Sequence, residues 1–414
     1  MEDPGKDYRS ASGLPVVPAF DGFRALAIMA VVVSHVLGIA GIGAEPGSVA
    51  AVAYLGSFGR VVEVLFVVSG FVVFLPTVAR GGVFGAVGPY ALRRAARLLP
   101  AYWLILLVVM LLAWVIPAFD DPTGLEVLSN FSFMQKWVSW IDPGIDVGFG
   151  IATPVWTLTI EITFYVILPL VAVWYARRPW LGLLCAIAIV LGWHALLARM
   201  PDVLALFGSD LTYLEWQNSV LGGSEQFPNW ALSFAAGMTS AWLYVQLTQT
   251  GRKLWSVRRR GWVAVLLIGV FIAFAVVAGV EADRHQPSWV VLFWFQPWWL
   301  RIGFTLSLAA AMLAITLAPR WIQFPFANSP VRKLGDISYG VYLAHYPLIL
   351  LAIEAFGFPV RRNLGDTLLL VAFVIPLSLI YGYLSARFVE QPIRRWAHRF
   401  GARAQAGGSP RSAA

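Results

Sequence analysis

Residues 18–40 read PAFDGFRALAIMAVVVSHVLGIA. As a helix rising 1.5 Å per residue, this block is about 34 Å long, enough to cross a hydrocarbon layer of about 30 Å. It is too long for a cleavable signal, has no small-residue cleavage pattern and holds Arg24 and His35 inside it, so it reads as a permanent span. Ionisable groups at such depths cost about 2.5–3.5 kcal/mol each on insertion scales, so each needs a partner or a task.

Blocks of the same character recur at 51–78, 99–119, 154–176, 180–199, 227–248, 261–280, 299–318, 335–356 and 366–388. Together they predict an all-α polytopic membrane protein with about ten transmembrane helices. The composition agrees. Of 414 residues, 59% are hydrophobic and 13% charged, against roughly 25% charged in a soluble domain. The stretch SWVVLFWFQPW (288–298) is short, rich in Trp and broken at Pro297, and reads as an interfacial or re-entrant lead-in to the eighth span. Residues 1–17 form a cytoplasmic N-terminal segment, 18–398 the membrane domain, and 399–414 a small polar tail expected to be disordered. No internal repeat and no appended soluble domain are visible. Cys185 is the only cysteine, which excludes a disulfide scaffold.

Of the 30 Lys and Arg residues, 21 fall in the termini and the loops on their side of the membrane. Six fall on the other side: Lys136, Arg199, Arg284, Arg301, Arg361 and Arg362. The positive-inside rule therefore puts both termini in the cytoplasm of a multi-pass protein of the cell's inner membrane. It also accounts for the net charge of +8 without a nucleic-acid partner. The outer loops 120–153 and 200–226 carry Asp120, Asp121, Glu126, Asp142, Asp146, Asp202, Asp210, Glu215 and Glu225 together with Trp137, Trp140 and Trp216. That composition suits sugars, and equally suits solvated loops with Trp anchors at the interface.

Five ionisable residues within the spans stand out: Arg24, His35, Glu63, Glu161 and His345. Arg24 and His35 are eleven residues apart, three turns plus about 20°, and so share a helix face about 16 Å apart along the axis. The face offers a cation near the cytoplasm and an imidazole past the midplane, an arrangement suited to a substrate entering with its anionic end trailing. Alternatively, Arg24 snorkels or pairs with Asp21, and His35 is a packing hydrogen bonder. Glu63, in GRVVEVLFVVSGF, is placed to orient an imidazole or to pair with Arg60 one turn away; Ser69 and Gly70 after it allow close helix approach. Glu161 lies in TPVWTLTIEITFYVILPL, with Trp156, Thr159 and Tyr165 near it. His345 lies in LGDISYGVYLAHYPLI, surrounded by Tyr339, Tyr342 and Tyr346. His194 has no such company and reads as packing or interface.

Arg93, Arg94 and Arg97 open the third span as RRAARLLPAYW, neighbours at i, i+3 and i, i+4. Such a cluster anchors a cytoplasmic helix end, and its guanidinium forks also match phosphate oxygens. A cation patch at an entrance and an imidazole at the end of a passage fit a long anionic carrier with a reactive far end. Coenzyme A thioesters have that form. HExxH, GxxxxGK, GxSxG and GxGxxG are absent from the sequence, which points away from metal, nucleotide and secreted-esterase chemistry.

These blocks resemble the integral-membrane acyltransferase family 3, which moves acyl groups from acyl-CoA to hydroxyls of envelope glycans, lipids or small molecules. The resemblance is carried by FDGFRALAIMAVVVSH (20–35) with the family's Arg-x10-His signature, and by VEVLFVVSGFVV (62–73) and RRAARLLPAYW (93–103). It continues through VWTLTIEITFYVILPL (155–170), LGDISYGVYLAHYPLI (334–349) and VEQPIRRW (389–396). It implies that Arg24 and His35 are essential, that Arg94 and Arg97 stand at the acyl-CoA entrance, and that Trp156, Glu161 and Tyr165 form a motif with His345 in the ninth span. Two positions depart from the pattern. The usual Trp-Ser-Leu-x-x-Glu-Glu-x-Phe-Tyr is WTLTIEITFY here, with Ile162 at the second Glu, and a common Asp of the VEVLFVVSG block is represented by Glu63 or an apolar neighbour. Many envelope-modifying relatives append an SGNH-type esterase domain. Without one, transfer is expected to finish in the membrane unit or on a separate protein.

The expected function is therefore O-acyl transfer from acyl-CoA, with acetyl as the family's default group, to a sugar-containing or lipid-linked acceptor. His35 is the expected catalytic base or nucleophile, with Glu63 or Glu161 as its partner. Arg24, Arg94, Arg97, Trp156, Tyr165 and His345 are expected to bind substrate. Membrane lipids are the remaining partners, and no metal or resident cofactor is expected. The alternative is a transporter or flippase without covalent chemistry, because intramembrane His and Glu also serve proton-coupled carriers. The missing internal repeat counts against it.

Overall fold

The computed structural model describes residues 17–41, 48–57, 60–116, 121–141, 152–206, 212–249, 255–284, 297–361, 363–397 and 399. Most of the 288–298 lead-in, the N-terminal segment, the tail, and Asp120, Asp142, Asp146 and Asp210 lie outside them. All described regular structure is helical, as expected where a chain meets lipid and each backbone polar group must be satisfied within its own segment.

The long helices are α1 (Pro18–Ala40), α3 (Val62–Ala79), α4 (Val87–Val115), α7 (Ala152–Arg177), α8 (Pro179–Ala198), α11 (Phe227–Gln249), α12 (Val257–Arg284), α13 (Trp298–Leu317), α15 (Ser329–Leu350) and α16 (Leu364–Ser385). Short helices fill the connections: α2 (Val49–Ser57), α5 (Gly124–Phe131), α6 (Gln135–Ile141), α9 (Met200–Ala205), α10 (Tyr213–Ser224) and α14 (Arg320–Ala327). Pro18 opens α1, where its missing N–H is no loss, and Gly41, at φ 66°, closes it in the left-handed conformation.

Among the described residues, nine helical segments are long and apolar enough to cross a membrane. The tenth expected span, 227–248, is helical over Phe227–Gln249 but less apolar than the others. Its surroundings explain this. Trp230, Phe234, Ser233, Thr239 and Ser240 are all buried, so the helix is walled by protein and tolerates polar side chains. It packs against α3 at backbone distance. A Cβ on Gly70 would stand 2.2 Å from the Phe234 carbonyl oxygen, and one on Gly237 would stand 2.2 Å from that of Val67. The expected span 51–78 holds two described helices, α2 ending at Ser57 and α3 starting at Val62, with Arg60 and Val61 outside both. The third span begins earlier than expected, at Val87, so Arg93, Arg94 and Arg97 lie within a helix.

Large apolar side chains face outward: Leu111 is 57% exposed, Leu170 81% and Leu266 65%. In water such surfaces would aggregate; in lipid they are the solvated face. The chain is a multi-pass membrane protein. Where α8 ends and α11 begins, Trp140, Trp193 and Trp216 donate their indole N–H groups to the carbonyls of Ser219, Gly223 and Leu197 at 3.0, 2.9 and 3.3 Å. Lys136 and Glu225 pair at 2.8 Å in the same layer. These indoles thus serve packing of the connecting helices.

Candidate active site

The site begins with how α1 and α15 meet. A Cβ on Gly335 would lie 2.6 Å from the Asp21 carbonyl oxygen, so glycine lets the two backbones touch there. Arg24 then reaches across. Its Nε donates to Ser338 Oγ at 3.3 Å, and its Nη2 donates to the Gly335 carbonyl at 3.0 Å and to Asp21 Oδ1 at 3.3 Å. The contact fixes the register of two helices running in the same direction. Eleven residues beyond Arg24 stands His35, and ten beyond Gly335 stands His345. Their imidazoles meet, with His345 Nε2 3.1 Å from His35 Nδ1 and ring centroids 5.0 Å apart.

The remaining ring partners are backbone carbonyls. His345 Nδ1 lies against the Tyr342 carbonyl, and His35 Nδ1 lies 3.0 Å from that of Val31. Tyr346 sets its ring edge-on to His35 at 5.7 Å. His345 is fully buried, whereas His35 is half-buried.

Nearer Arg24 there is a cavity of about 700 Å³, counting its open mouth, bounded by α1, α3, α4, α7 and α15. Arg24, Arg97, Glu161, Tyr165 and Ser69 supply its charged and polar wall; Ile28, Leu65, Phe66 and Val72 supply apolar wall. Ile28, one turn beyond Arg24 and two turns before His35, also lines it, so the cavity covers the Arg24 end of their shared face, while His35 and His345 stand beyond its lining. Glu161 Oε1 accepts from Ser69 Oγ at 2.6 Å and from the Tyr165 hydroxyl, one helical turn on. Tyr342 lines the same cavity, its hydroxyl 2.5 Å from Thr157 Oγ1, while its carbonyl holds His345. One tyrosine thus connects cavity and histidine pair.

Arg94 packs over the rings of Tyr165 at 5.4 Å and Tyr90 at 6.0 Å. Its Nε and Nη1 are buried without a hydrogen-bond partner among the described residues. Trp156 sits behind the cavity wall, edge-on to Phe66 at 6.4 Å and tilted against Trp230 at 5.5 Å.

Glu63 is elsewhere engaged. Its carboxylate pairs with Arg60 at 3.6 Å and accepts from Thr305 Oγ1 at 2.6 Å, with both charged side chains 2% exposed. Of the two open readings of Glu63, the geometry is that of the ion pair with Arg60. His194 Nε2 lies 2.9 Å from Asn229 Oδ1.

Glu390 and Arg394, not singled out by the sequence, join the Arg24 end. The helix after α16 makes a π-type turn over Ala386–Glu390, and Glu390, 3% exposed, accepts from Ser385 Oγ at 3.1 Å. Its carboxylate faces the charges of Arg394, Arg97 and Arg24. The signal for them lies in VEQPIRRW (389–396), where Glu390 and Arg394 stand one helical turn apart. π-Turns concentrate at functional sites.

A family model described as an acyltransferase domain matches residues 17–387. The peptidoglycan O-acetyltransferase OatA of Listeria monocytogenes serovar 1/2a is 28% identical over 401 residues, covering 92% of this chain and 56% of the relative. The "Putative peptidoglycan O-acetyltransferase YrhL" of Bacillus subtilis strain 168 is 26% identical over 407 residues, with the same two shares. The chain therefore spans about half the length of the curated relatives it matches. No solved structure matches it. Both the matched span, which takes in Arg24, His35, Glu161 and His345, and the multi-pass helical architecture lead to one conclusion: the chain belongs to acyltransferase family 3.

Proposed function

We propose that this protein is a membrane O-acyltransferase that moves an acyl group, acetyl in the first instance, from cytoplasmic acyl-CoA to a hydroxyl of an envelope glycan. Peptidoglycan is the acceptor that the names of its relatives favour. The observation that carries the reading is the register of α1 against α15. It sets a cationic cavity at Arg24 and Arg97, and a histidine pair about 16 Å further along the same face. That separation is on the scale of a pantetheine arm.

In this reading Arg24, Arg94 and Arg97 receive the phosphates of the donor. Arg94 suits the task, because two of its guanidinium nitrogens lack partners and an anion would supply them. Glu161, held by Ser69 and Tyr165, orients the cation wall, and Trp156 backs it. The thioester reaches His35, whose Nε2 takes the proton of the acceptor hydroxyl as oxygen attacks the carbonyl carbon. The C–S bond then breaks and the proton passes to the departing thiolate. Glu63 is left a structural role beside Arg60. The excess of Lys and Arg on one side supports a cytoplasmic Arg24 end and cytoplasmic termini in the cell's inner membrane.

The test is release of CoA thiol from a panel of acyl-CoAs, by protein in nanodiscs with peptidoglycan fragments present. Thiol release with a preferred donor, lowered about 10²–10⁴-fold in a folded His35→Ala variant, is expected. Release indifferent to His35 would remove it from the chemistry, and neither release nor acyl-CoA binding would overturn the reading and leave a carrier as the better account.

A further inference from the structure

The histidine pair admits a single neutral hydrogen-bond pattern. A carbonyl oxygen can only accept, so the Tyr342 carbonyl requires a hydrogen on His345 Nδ1. In a neutral imidazole that leaves His345 Nε2 with its lone pair. This lone pair faces His35 Nδ1 at 3.1 Å, and so does the Val31 carbonyl at 3.0 Å. Both are acceptors, so the hydrogen of His35 must be on Nδ1, shared between them. Nε2 of His35 is then bare. Among the described residues nothing bonds to it.

We propose that His345 is the positioning residue of His35. Its Nε2 lone pair holds the Nδ1–H of His35, turns the bare Nε2 toward the reacting hydroxyl, and shares the proton when that nitrogen becomes charged. The inference rests on the reading of His35 as the base. It gives His345 the part that a carboxylate plays in other catalytic triads, performed here by a neutral ring that avoids a buried negative charge. When the acceptor hydroxyl gives its proton to His35 Nε2, the Nδ1 hydrogen shifts toward His345 Nε2. It returns as the thiolate takes its proton. No atom or electron is left over. The full burial of His345 keeps water from competing for that lone pair, and the half-buried His35 keeps one edge toward substrate.

Two measurements test this. In protein carrying nitrogen-15 histidine in nanodiscs, the hydrogen bond joins two nitrogens, so a coupling between His35 Nδ1 and His345 Nε2 should be observable, with His35 Nε2 unprotonated. A protonated Nε2 on His35, or no coupling between the rings, overturns the inference whatever the activity. In kinetics, His345→Leu removes the acceptor and should lower kcat about 10²–10³-fold while leaving KM for acyl-CoA within about twofold, the mark of an interaction made in the transition state. His345→Gln presents an amide oxygen in place of Nε2 and should recover about tenfold or more of the loss. A raised KM with unchanged kcat, or a folded Gln variant no better than Leu, would contradict the positioning role. If wild-type protein transfers from no donor, the functional reading has failed, and the coupling alone decides the pair.

Discussion

His345 Nε2 stands 3.1 Å from His35 Nδ1, although the residues are 310 positions apart in the chain. The contact exists because Arg24 and Gly335 meet three turns below it and hold two parallel helices in register. The Arg24 contact and the histidine pair are therefore two ends of one helix–helix contact, and whatever shifts that contact shifts both.

The register itself can be tested at Gly335. A Cβ there would come within 2.6 Å of the Asp21 carbonyl oxygen, so one backbone must move aside. Gly335→Ala should lower acyl transfer about 10²-fold, the scale of a 1 Å misplacement at a reacting centre. The melting temperature should fall only modestly. Transfer and stability measured together in nanodiscs decide it; unchanged transfer would show that the register has slack.

Arg97 lines the cavity and has Glu161, Glu390 and Asp21 in its electrostatic neighbourhood. Arg97→Gln should raise KM for acyl-CoA about 10- to 100-fold, as a lost charged hydrogen bond is worth about 1.5–3 kcal/mol, with kcat little altered. Lys should rescue poorly, lacking the planar fork. Equal loss in kcat would place Arg97 in the chemistry instead.

For Glu63 the expectation concerns folding. Glu63→Ala leaves Arg60 charged and buried, a loss of about 3–5 kcal/mol, whereas the double change Arg60→Met with Glu63→Leu replaces the pair by apolar volume and should regain most of it. Transfer by the double variant should be near wild type. A stable double variant that is inactive would return Glu63 to the catalytic group.

The connecting helices carry a pH dependence. Burial pushes the Glu225 carboxyl above its ordinary value of 4.5, although Lys136 beside it pulls the other way. The folded form thus holds this proton more tightly than the unfolded form. Its contribution to stability is present below the ordinary value and fades as pH rises through the raised range. Thermal melts followed by tryptophan fluorescence should show this slope, and Glu225→Gln should flatten it. A slope of opposite sign would mean that the Lys136 pair dominates.

Most of the fold could be read from the chain because lipid makes a blunt demand. Blocks such as 18–40 and 364–385 have to be apolar and helical to cross it, and 227–249 kept a readable helix despite its serines and threonines. That Arg60 and Val61 stand outside α2 and α3 was hidden, since apolar residues flank them on both sides. In the site, spacing within one helix was legible: Arg24 with His35, and Glu161 with Tyr165. Glu63 stayed ambiguous because a local partner and a distant imidazole are equally compatible with one spacing; the local Arg60 is the one it meets. The partner of His35 could not be read, because it depends on how α1 and α15 slide past each other. Glu390 was hidden for the same reason, since a π-type turn near the end of the chain brings its carboxylate into the electrostatic neighbourhood of Arg97 and Arg24.

The most direct measurement follows both halves of acetyl-CoA at once. Protein reconstituted in nanodiscs is given acetyl-CoA labelled in the acetyl group, together with peptidoglycan fragments. Labelled ester on the glycan and free CoA thiol should then appear in equal amounts, and both should vanish together in His35→Ala. Ester formed without thiol release, or equal transfer by the variant, would contradict the account.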